Sequence, residues 1–237
     1  MLELKNVTLI GIDCVNASRL ALALDISCLE INFGAVKLLT SLATDDVRKV
    51  EIPALKSIEA YSRFCLQDLH QYIDTPYALV VQHDGFVLNA LAWSADFLHY
   101  DYIGAPIQIG DWAMEKHGVP DGVVGSLLVG NGGFSLRSKK LLELTASLSR
   151  VDNFTLHDPE DWAICYTERA KLEKAGIKFA PVKIAESFSF EGRTKDYYTY
   201  TDSFGFHGLQ WTDISKWLAQ HPEYSDVIKN EVDLDTF

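Results

Sequence analysis

A chain of 237 residues with 48% hydrophobic and 23% charged residues is long and apolar enough to bury a full core, which excludes a disordered segment. Its formal net charge of −12 repels polyanions, so neither nucleic acid nor an anionic lipid surface is expected as a broad partner. An anionic small molecule stays possible, because a bound cation or a few local basic groups can reverse the field inside a cleft. The four cysteines, Cys14, Cys28, Cys65 and Cys165, have no zinc spacing and read as reduced thiols among apolar residues. Met1 to Lys5 shows neither a basic n-region nor a long apolar stretch, and no run approaches the ~18 apolar residues of a membrane span. The expectation is a cytoplasmic protein without a transmembrane segment.

Along the chain, apolar runs alternate with helical patterns, which predicts βα units around a mainly parallel sheet flanked by helices, in a single domain. Val7 to Ile12 reads as a strand ending at Asp13. A helix follows, capped by Ser18 and carrying Leu20, Leu24 and Cys28 at helical spacing. Ala35 to Leu39 is a second strand. Ser57 to Ile73 is the clearest helix, with Ile58, Tyr61, Cys65, Leu69 and Tyr72 forming one stripe. Tyr77 to Val81 is a continuous apolar run between Pro76 and Asp84-Gly85, the pattern of a strand buried on both faces. Gln82, His83 and Asp84 then fall at its carboxyl end, where open α/β sheets bind ligands.

From Gly104 to Gly133 the chain is glycine-rich and poor in periodicity, as expected of a binding loop or lid. Helices are expected around Lys139 to Leu148 and from Asp158-Pro159 to a stop at Gly176. Lys178 to Phe190 reads as strand-like, Trp211 to Leu218 as a short helix, and the tail after His221 is polar and acidic.

Four clusters can carry chemistry. Gln82-His83-Asp84-Gly85 offers a carboxylate after a buried strand, suited to Mg²⁺ or Mn²⁺ bridging a diphosphate; the alternative is a plain Asp-Gly turn. Gly130 to Ser138 lets backbone approach a ligand closely, with Asn131 for sugar hydroxyls and Arg137 for a phosphate; otherwise it is a loop leading into a helix capped by Ser138. Asp158-Pro159-Glu160-Asp161-Trp162 is a well-formed helix start, with Asp158 as N-cap. It also places a carboxylate that can act as general base, beside a tryptophan able to stack on a sugar or to pack inside. Finally, His207, between Gly205-Phe206 and Gly208, either closes a metal site or is a structural histidine.

Taken together, Val81 to Asn89, Tyr100 to Pro106, Val129 to Ser138 and Pro159 to Asp161, with Phe204 to Gly208 as a weaker fifth segment, resemble a GT-A-type glycosyltransferase. More narrowly, they are similar to a bacterial domain-of-unknown-function family of predicted glycosyltransferases. The resemblance implies a GT-A-like, Rossmann-like α/β domain over residues 1–237, with a nucleotide-binding part over about 1–100 and an acceptor-binding part over about 101–210. It implies a nucleotide-sugar donor, UDP-linked as first choice, and a glycan or lipid-linked glycan acceptor, with polysaccharide synthesis as the setting. The Asp-x-Asp element of such enzymes is matched by Gln82-His83-Asp84, where glutamine replaces the first aspartate. The metal, Mn²⁺ or Mg²⁺, is then assigned to Asp84 and His207. Donor contacts fall to Asp13, Arg19, Gln82, His83, Asp84 and Gly85, and sugar or acceptor contacts to Asn131, Gly132, Gly133, Phe134, Arg137 and Trp162. Asp161 or Glu160 is the base of an inverting displacement. The competing readings are a nucleotidyltransferase or phosphohydrolase and an inactive sugar-nucleotide-binding protein.

Overall fold

The computed structural model describes residues 1–151, 154–191, 203–210 and 212–232. In chain order it contains β1 (Leu2–Ile12), α1 (Ala17–Ser27), β2 (Ile31–Thr40), β3 (Lys49–Glu51), α2 (Ile58–Gln67) and β4 (Tyr77–Val81). Then come β5 (Tyr102–Ile103), β6 (Pro106–Gln108), α3 (Asp111–His117), β7 (Leu127–Val129), β8 (Phe134–Ser138) and α4 (Lys139–Arg150). The last part holds α5 (Glu160–Trp162), α6 (Arg169–Lys174), α7 (Val182–Phe188), β9 (Ser189–Glu191), β10 (Gly205–His207), α8 (Ser215–Gln220) and α9 (Ser225–Val232). Among the described residues no helix is long and apolar enough to cross a membrane.

Six strands form the central sheet in the order β3-β2-β1-β4-β8-β5. The first four run parallel, while β8 is antiparallel to β4 and to β5. The apolar run of β4 is explained by burial on both faces: Leu79 and Val81 join one core cluster, Ala78 and Val80 the other. Leu20 and Leu24 of α1 pack on the first face; Phe64 and Cys65 of α2 and Leu142 of α4 pack on the second. Because β4 and β8 are antiparallel, the end of one meets the start of the other, and Val81 pairs with Phe134. That single topological fact brings Gln82-His83-Asp84 beside Asn131-Gly132-Gly133, and the Gln82 N–H donates to the Gly133 carbonyl at 2.8 Å.

Several local expectations change. Asn16, not Ser18, caps α1, its side chain accepting from the Ser18 N–H at 3.1 Å. The helix expected over Ser57 to Ile73 is capped by Ser57 but stops at Gln67, a 3₁₀ turn covers Leu69–Tyr72, and Ile58 lies exposed. The 104–133 segment is not a bare loop. β6 and β7 pair antiparallel across it and α3 lies between them. Lys178 to Phe190 is mostly helical: Pro181 starts α7, which buries Ala185 and Phe188 three residues apart on one face. Ser138 caps α4 as expected, its Oγ accepting from the Leu141 N–H at 3.0 Å. Gly176 follows α6 at φ +85°, the left-handed conformation that ends helices. The short helix expected over Trp211 to Leu218 starts at Ser215, Trp211 lies outside the described residues, and a further helix, α9, follows in the polar tail.

Candidate active site

Asp84 lies just past β4 in a turn closed by the Gly85 N–H donating to Gln82 O at 3.2 Å. The turn reading therefore holds, and it aims the carboxylate at the next element. β9 and β10 pair in parallel, and β10 runs beside the chain after Asp84 through hydrogen bonds from Leu88 N to Phe204 O and from Gly208 N to Asp84 O. This sets His207 Nε2 at 3.3 Å from Asp84 Oδ1. The contact is an ion pair without hydrogen-bond geometry, since the buried Oδ1 has no hydrogen-bond partner. Gln82 shares the imidazole: its Oε1 lies 3.1 Å from His207 Nε2, and its own amide nitrogen donates to Tyr61 Oη at 3.2 Å. On the far side of the ring, Nδ1 faces Glu191 Oε1 at 3.5 Å.

The charges of this cluster follow from its burial and pairing. Burial pushes the Asp84 carboxyl upward, but the charges of His207 and His83 outweigh it and hold the pKa at about 2. Burial disfavours the charged imidazole in turn, and Asp84 and Glu191 outweigh that, raising His207 to about 10. As to a cation, two donors set at right angles on one metal at ~2.1 Å stand about 3 Å apart. Asp84 Oδ1 and His207 Nε2 have nearly that separation, and the carboxylate oxygen is otherwise unsatisfied. With the Nε2 proton displaced on binding, the pair would fit a hard cation that completes its shell from phosphate and water. Among the described residues there is no group of three His, Cys, Asp or Glu side chains able to hold a metal alone.

The glycines between the two strands serve close packing. A Cβ at Gly133 would collide with the His207 ring, and one at Gly132 with the Glu160 carboxylate. Asn131 is the one non-glycine with positive φ among the described residues, at +65°. Its Oδ1 accepts from the Gly133 N–H at 2.9 Å and its Nδ2 donates to Glu191 Oε2 at 2.7 Å. Such a left-handed asparagine costs roughly 1–3 kcal/mol and persists only where its surroundings hold it, which is typical of functional loops.

Glu160 and Asp161 diverge. Glu160 is buried and pairs with the fully buried Arg137, Oε1 to Nη2 at 2.9 Å. Its pKa is raised, by burial first and the Asp161 charge second, against the pull of Arg137. Asp161 is half-buried; its Oδ2 accepts from the Gly132 N–H at 2.9 Å and its Oδ1 from the Trp162 N–H at 2.7 Å. A carboxylate has about four acceptor sites, so Asp161 keeps capacity toward a substrate. Arg137 also donates to Gly132 O at 3.2 Å, so Gly132 is held at its N–H by Asp161 and at its carbonyl by Arg137, the ion-pair partner of Glu160.

Asp13 and Arg19 form a buried ion pair, Oδ2 to Nε at 2.6 Å, while Asp13 Oδ1 accepts from the N–H groups of Val15 and Asn16. Together with Cys14, Leu55, Tyr61, Gln82 and His83 they line a small cleft open to solvent. The carboxyl ends of β1 and β4 thus share one opening.

Other assigned residues fall elsewhere. Phe134 is fully buried against Phe188 and Phe204. Trp162 is buried and stacks on His117 at 4.5 Å between centroids, so it packs inside rather than over a sugar. Arg137 is closed off from solvent and committed to Glu160, which leaves it unavailable to a phosphate. Asp158 is not the helix cap: it pairs with His117 Nδ1 at 2.9 Å and accepts from Thr167 Oγ1 at 2.7 Å. Gly85 is buried, where a Cβ would press on the Phe206 carbonyl at 2.8 Å. Glu191 and Tyr61 were not singled out by sequence. Glu191 sits in an unremarkable Ser-Phe-Glu strand, and Tyr61 reads as one more member of a buried helical stripe.

A single α/β unit with its polar residues gathered at the carboxyl ends of β1 and β4 is a ligand-binding architecture of the open-sheet class. A family model described as a protein of unknown function (DUF5672) matches residues 45–207. That is more than half of the chain, and the protein belongs to this family, whose match encloses Gln82 to Gly85, Asn131 to Gly133, Glu160-Asp161 and His207. No curated protein matches the chain in sequence. Among solved structures the chain is similar to the galactosyltransferase LgtC in complex with donor and acceptor sugar analogs, at 16% identity and a TM-score of 0.48, covering 94% of this chain and 95% of that one. It is also similar to a glycosyltransferase involved in glycosylation of the major capsid of PBCV-1, at 13% identity and 0.49, covering 92% and 98%. A third similar structure is apo GlyE of Streptococcus pneumoniae, at 14% identity and 0.49, covering 95% of this chain and 62% of that one.

Proposed function

We propose that the protein transfers a sugar from a nucleotide-sugar donor, UDP-linked as first choice, to a hydroxyl of a glycan or lipid-linked glycan, with Mn²⁺ or Mg²⁺ at Asp84 and His207. The observation that carries this reading is the buried, unsatisfied Asp84 oxygen facing His207 Nε2 at 3.3 Å at the end of a parallel strand. A bound divalent cation supplies neutralisation of the departing diphosphate. The neighbouring cleft, with Asp13, Arg19 and His83 in its lining, is assigned to the nucleotide, so that residues to about 100 serve the donor and about 101–210 the acceptor. Asp161 takes the proton of the acceptor hydroxyl in a direct, inverting displacement. Glu160, locked to Arg137, holds the helix start against the Gly132 turn and keeps Asp161 in place.

The test is thermal denaturation with UDP, GDP, ADP, CDP and TDP, with and without Mn²⁺, followed by turnover of the matching labelled nucleotide sugar. One diphosphate is expected to stabilise the fold only with metal, by roughly 2.7 kcal/mol at about 100 times its dissociation constant. No shift with any of the five overturns the reading. A shift without turnover over an acceptor panel instead favours a binding protein.

A further inference from the structure

The imidazole of His207 is gripped on the side away from Asp84 as firmly as on the side facing it. In the β9–β10 pairing His207 lies in register with Glu191. One Glu191 oxygen stands 3.5 Å from Nδ1, and the other accepts from Asn131 Nδ2 at 2.7 Å. Asn131 cannot exchange its amide ends, because its oxygen already accepts from the Gly133 N–H at 2.9 Å. The ring lies over Gly133, where no Cβ fits. Its orientation is therefore fixed by packing. Paired with Asp84 and Glu191 the free ring is charged and carries a proton on each nitrogen; a cation binding at Nε2 must release one proton to solvent, and the neighbours of Nδ1 decide whether the proton that stays is on Nδ1 or Nε2.

Two groups compete for Nδ1. The Asn131 amide nitrogen lies 3.1 Å away; if Nδ1 accepts from it, the neutral ring carries its proton on Nε2. That proton points at Gln82 Oε1, 3.1 Å off, and blocks Nε2 as a ligand. If Nδ1 instead carries the proton and donates to Glu191, the Nε2 lone pair is free beside Asp84. An imidazole binds a metal only through an unprotonated nitrogen, and the hydrogen bond at the other nitrogen selects which one that is.

We propose that Glu191 is a positioning residue, its carboxylate keeping the His207 proton on Nδ1 so that Nε2 is presented together with Asp84 Oδ1 to a divalent cation. This rests on the metal reading above. The role belongs to the charge of Glu191 more than to its shape, since asparagine supplies the opposite preference from the same side.

The test uses the whole protein and Mn²⁺ alone, with affinity read from the electron paramagnetic resonance of free Mn²⁺. Variants are Glu191→Ala and Glu191→Gln, with Asp84→Asn and His207→Ala as controls. Glu191→Ala is expected to weaken Mn²⁺ binding by about 10- to 100-fold, and Glu191→Gln, which keeps the shape and loses the charge, by nearly as much. Nitrogen-15 histidine NMR with saturating Mg²⁺ is expected to place the His207 proton on Nδ1 in the natural protein and to lose that signature in Glu191→Ala. If the controls lose Mn²⁺ while both Glu191 variants bind it normally, the positioning role is overturned and the metal site stands. If the controls also bind normally, the metal reading falls and this inference with it. Should Glu191→Ala not fold, unchanged affinity in Glu191→Gln together with an unchanged NMR signature overturns the proposal.

Discussion

Asp161 and Glu160 are neighbours with the same chemistry and opposite surroundings, and substitution separates them. Asp161→Asn keeps an acceptor oxygen for one of the two backbone N–H groups, Gly132 or Trp162, and loses it for the other, so its stability cost is expected to be about 0.5–2 kcal/mol, the scale of a lost cap. Transfer is expected to fall 10²–10⁴-fold, the usual cost of a lost general base. Glu160→Gln uncovers the charge of the buried Arg137. Breaking such a pair typically costs about 3–5 kcal/mol, so denaturant melts are expected to show a large loss of stability in this variant and a smaller one in the first. Transfer at the natural rate in Asp161→Asn removes it as the base. Gly133→Ala is a third residue-scale case. The added methyl meets the His207 ring, so metal-dependent nucleotide stabilisation is expected to disappear from the thermal-shift assay, although neither Asp84 nor His207 is altered. The two acids were legible as a pair from sequence, because a Pro-Glu-Asp helix start is conspicuous. Which acid is buried was not, because Arg137 arrives from 23 positions away along the chain.

At the scale of elements, the 104–133 excursion has two parts of different character. β6 and β7 are tied together as a ribbon. Between them, Gly118 and Gly125 take positive φ with open space or solvent about them, and Gly122 is likewise unconfined. Hydrogen exchange is expected to be slow at Leu127 to Val129 in the free protein and fast from Asp111 to Gly125, slowing there when UDP and Mn²⁺ are added. Protection across 111–125 that is already high and unmoved by ligand contradicts this. A second element-scale case is the β2–β3 connection. Arg48 binds Asp46 Oδ2 at 2.5 Å and Asp25 of α1 at 2.6 Å. The Asp46 carboxyl is held below its ordinary value of 3.8, chiefly by its hydrogen bond to Arg48. Its stabilisation is therefore complete above that value and fades as pH falls through the lowered pKa. Asp46→Asn is expected to flatten the acid side of the stability–pH curve and to leave the neutral-to-alkaline side unchanged in shape.

For the whole molecule, the sheet order decides where function gathers. Parallel β1 and β4 send Asp13 and Asp84 to one end, and the antiparallel β8 returns the Asn131 turn to that end. With a net charge of −12, a diphosphate arriving there meets a repulsive surface unless a cation accompanies it. Nucleotide binding measured by calorimetry is accordingly expected to vanish when the metal is removed with a chelator and to return when Mn²⁺ is restored. Retention of full affinity in the chelated protein contradicts the expectation.

The sequence by itself determined the α/β class, the doubly buried β4, the helix beginning at Ser57, the cap at Ser138 and the stop at Gly176, all from signals spanning a few residues: an unbroken apolar run, a stripe at helical spacing, a short polar side chain before a helix, a glycine after one. It also marked the segments that hold the Asp84 and Asp161 clusters, because their chemistry is local. Only the tertiary structure decided that β8 reverses against β4, that β10 carries His207 to Asp84, and that Glu191 stands behind it. It likewise turned Arg137, Phe134 and Trp162 inward, and gave Asp158 to His117 instead of the helix end. The physical reason is the same in each case. Strand direction, burial and the choice of ion-pair partner depend on groups tens of residues away, and local pattern holds no information about which of several equally suitable partners the folded chain delivers.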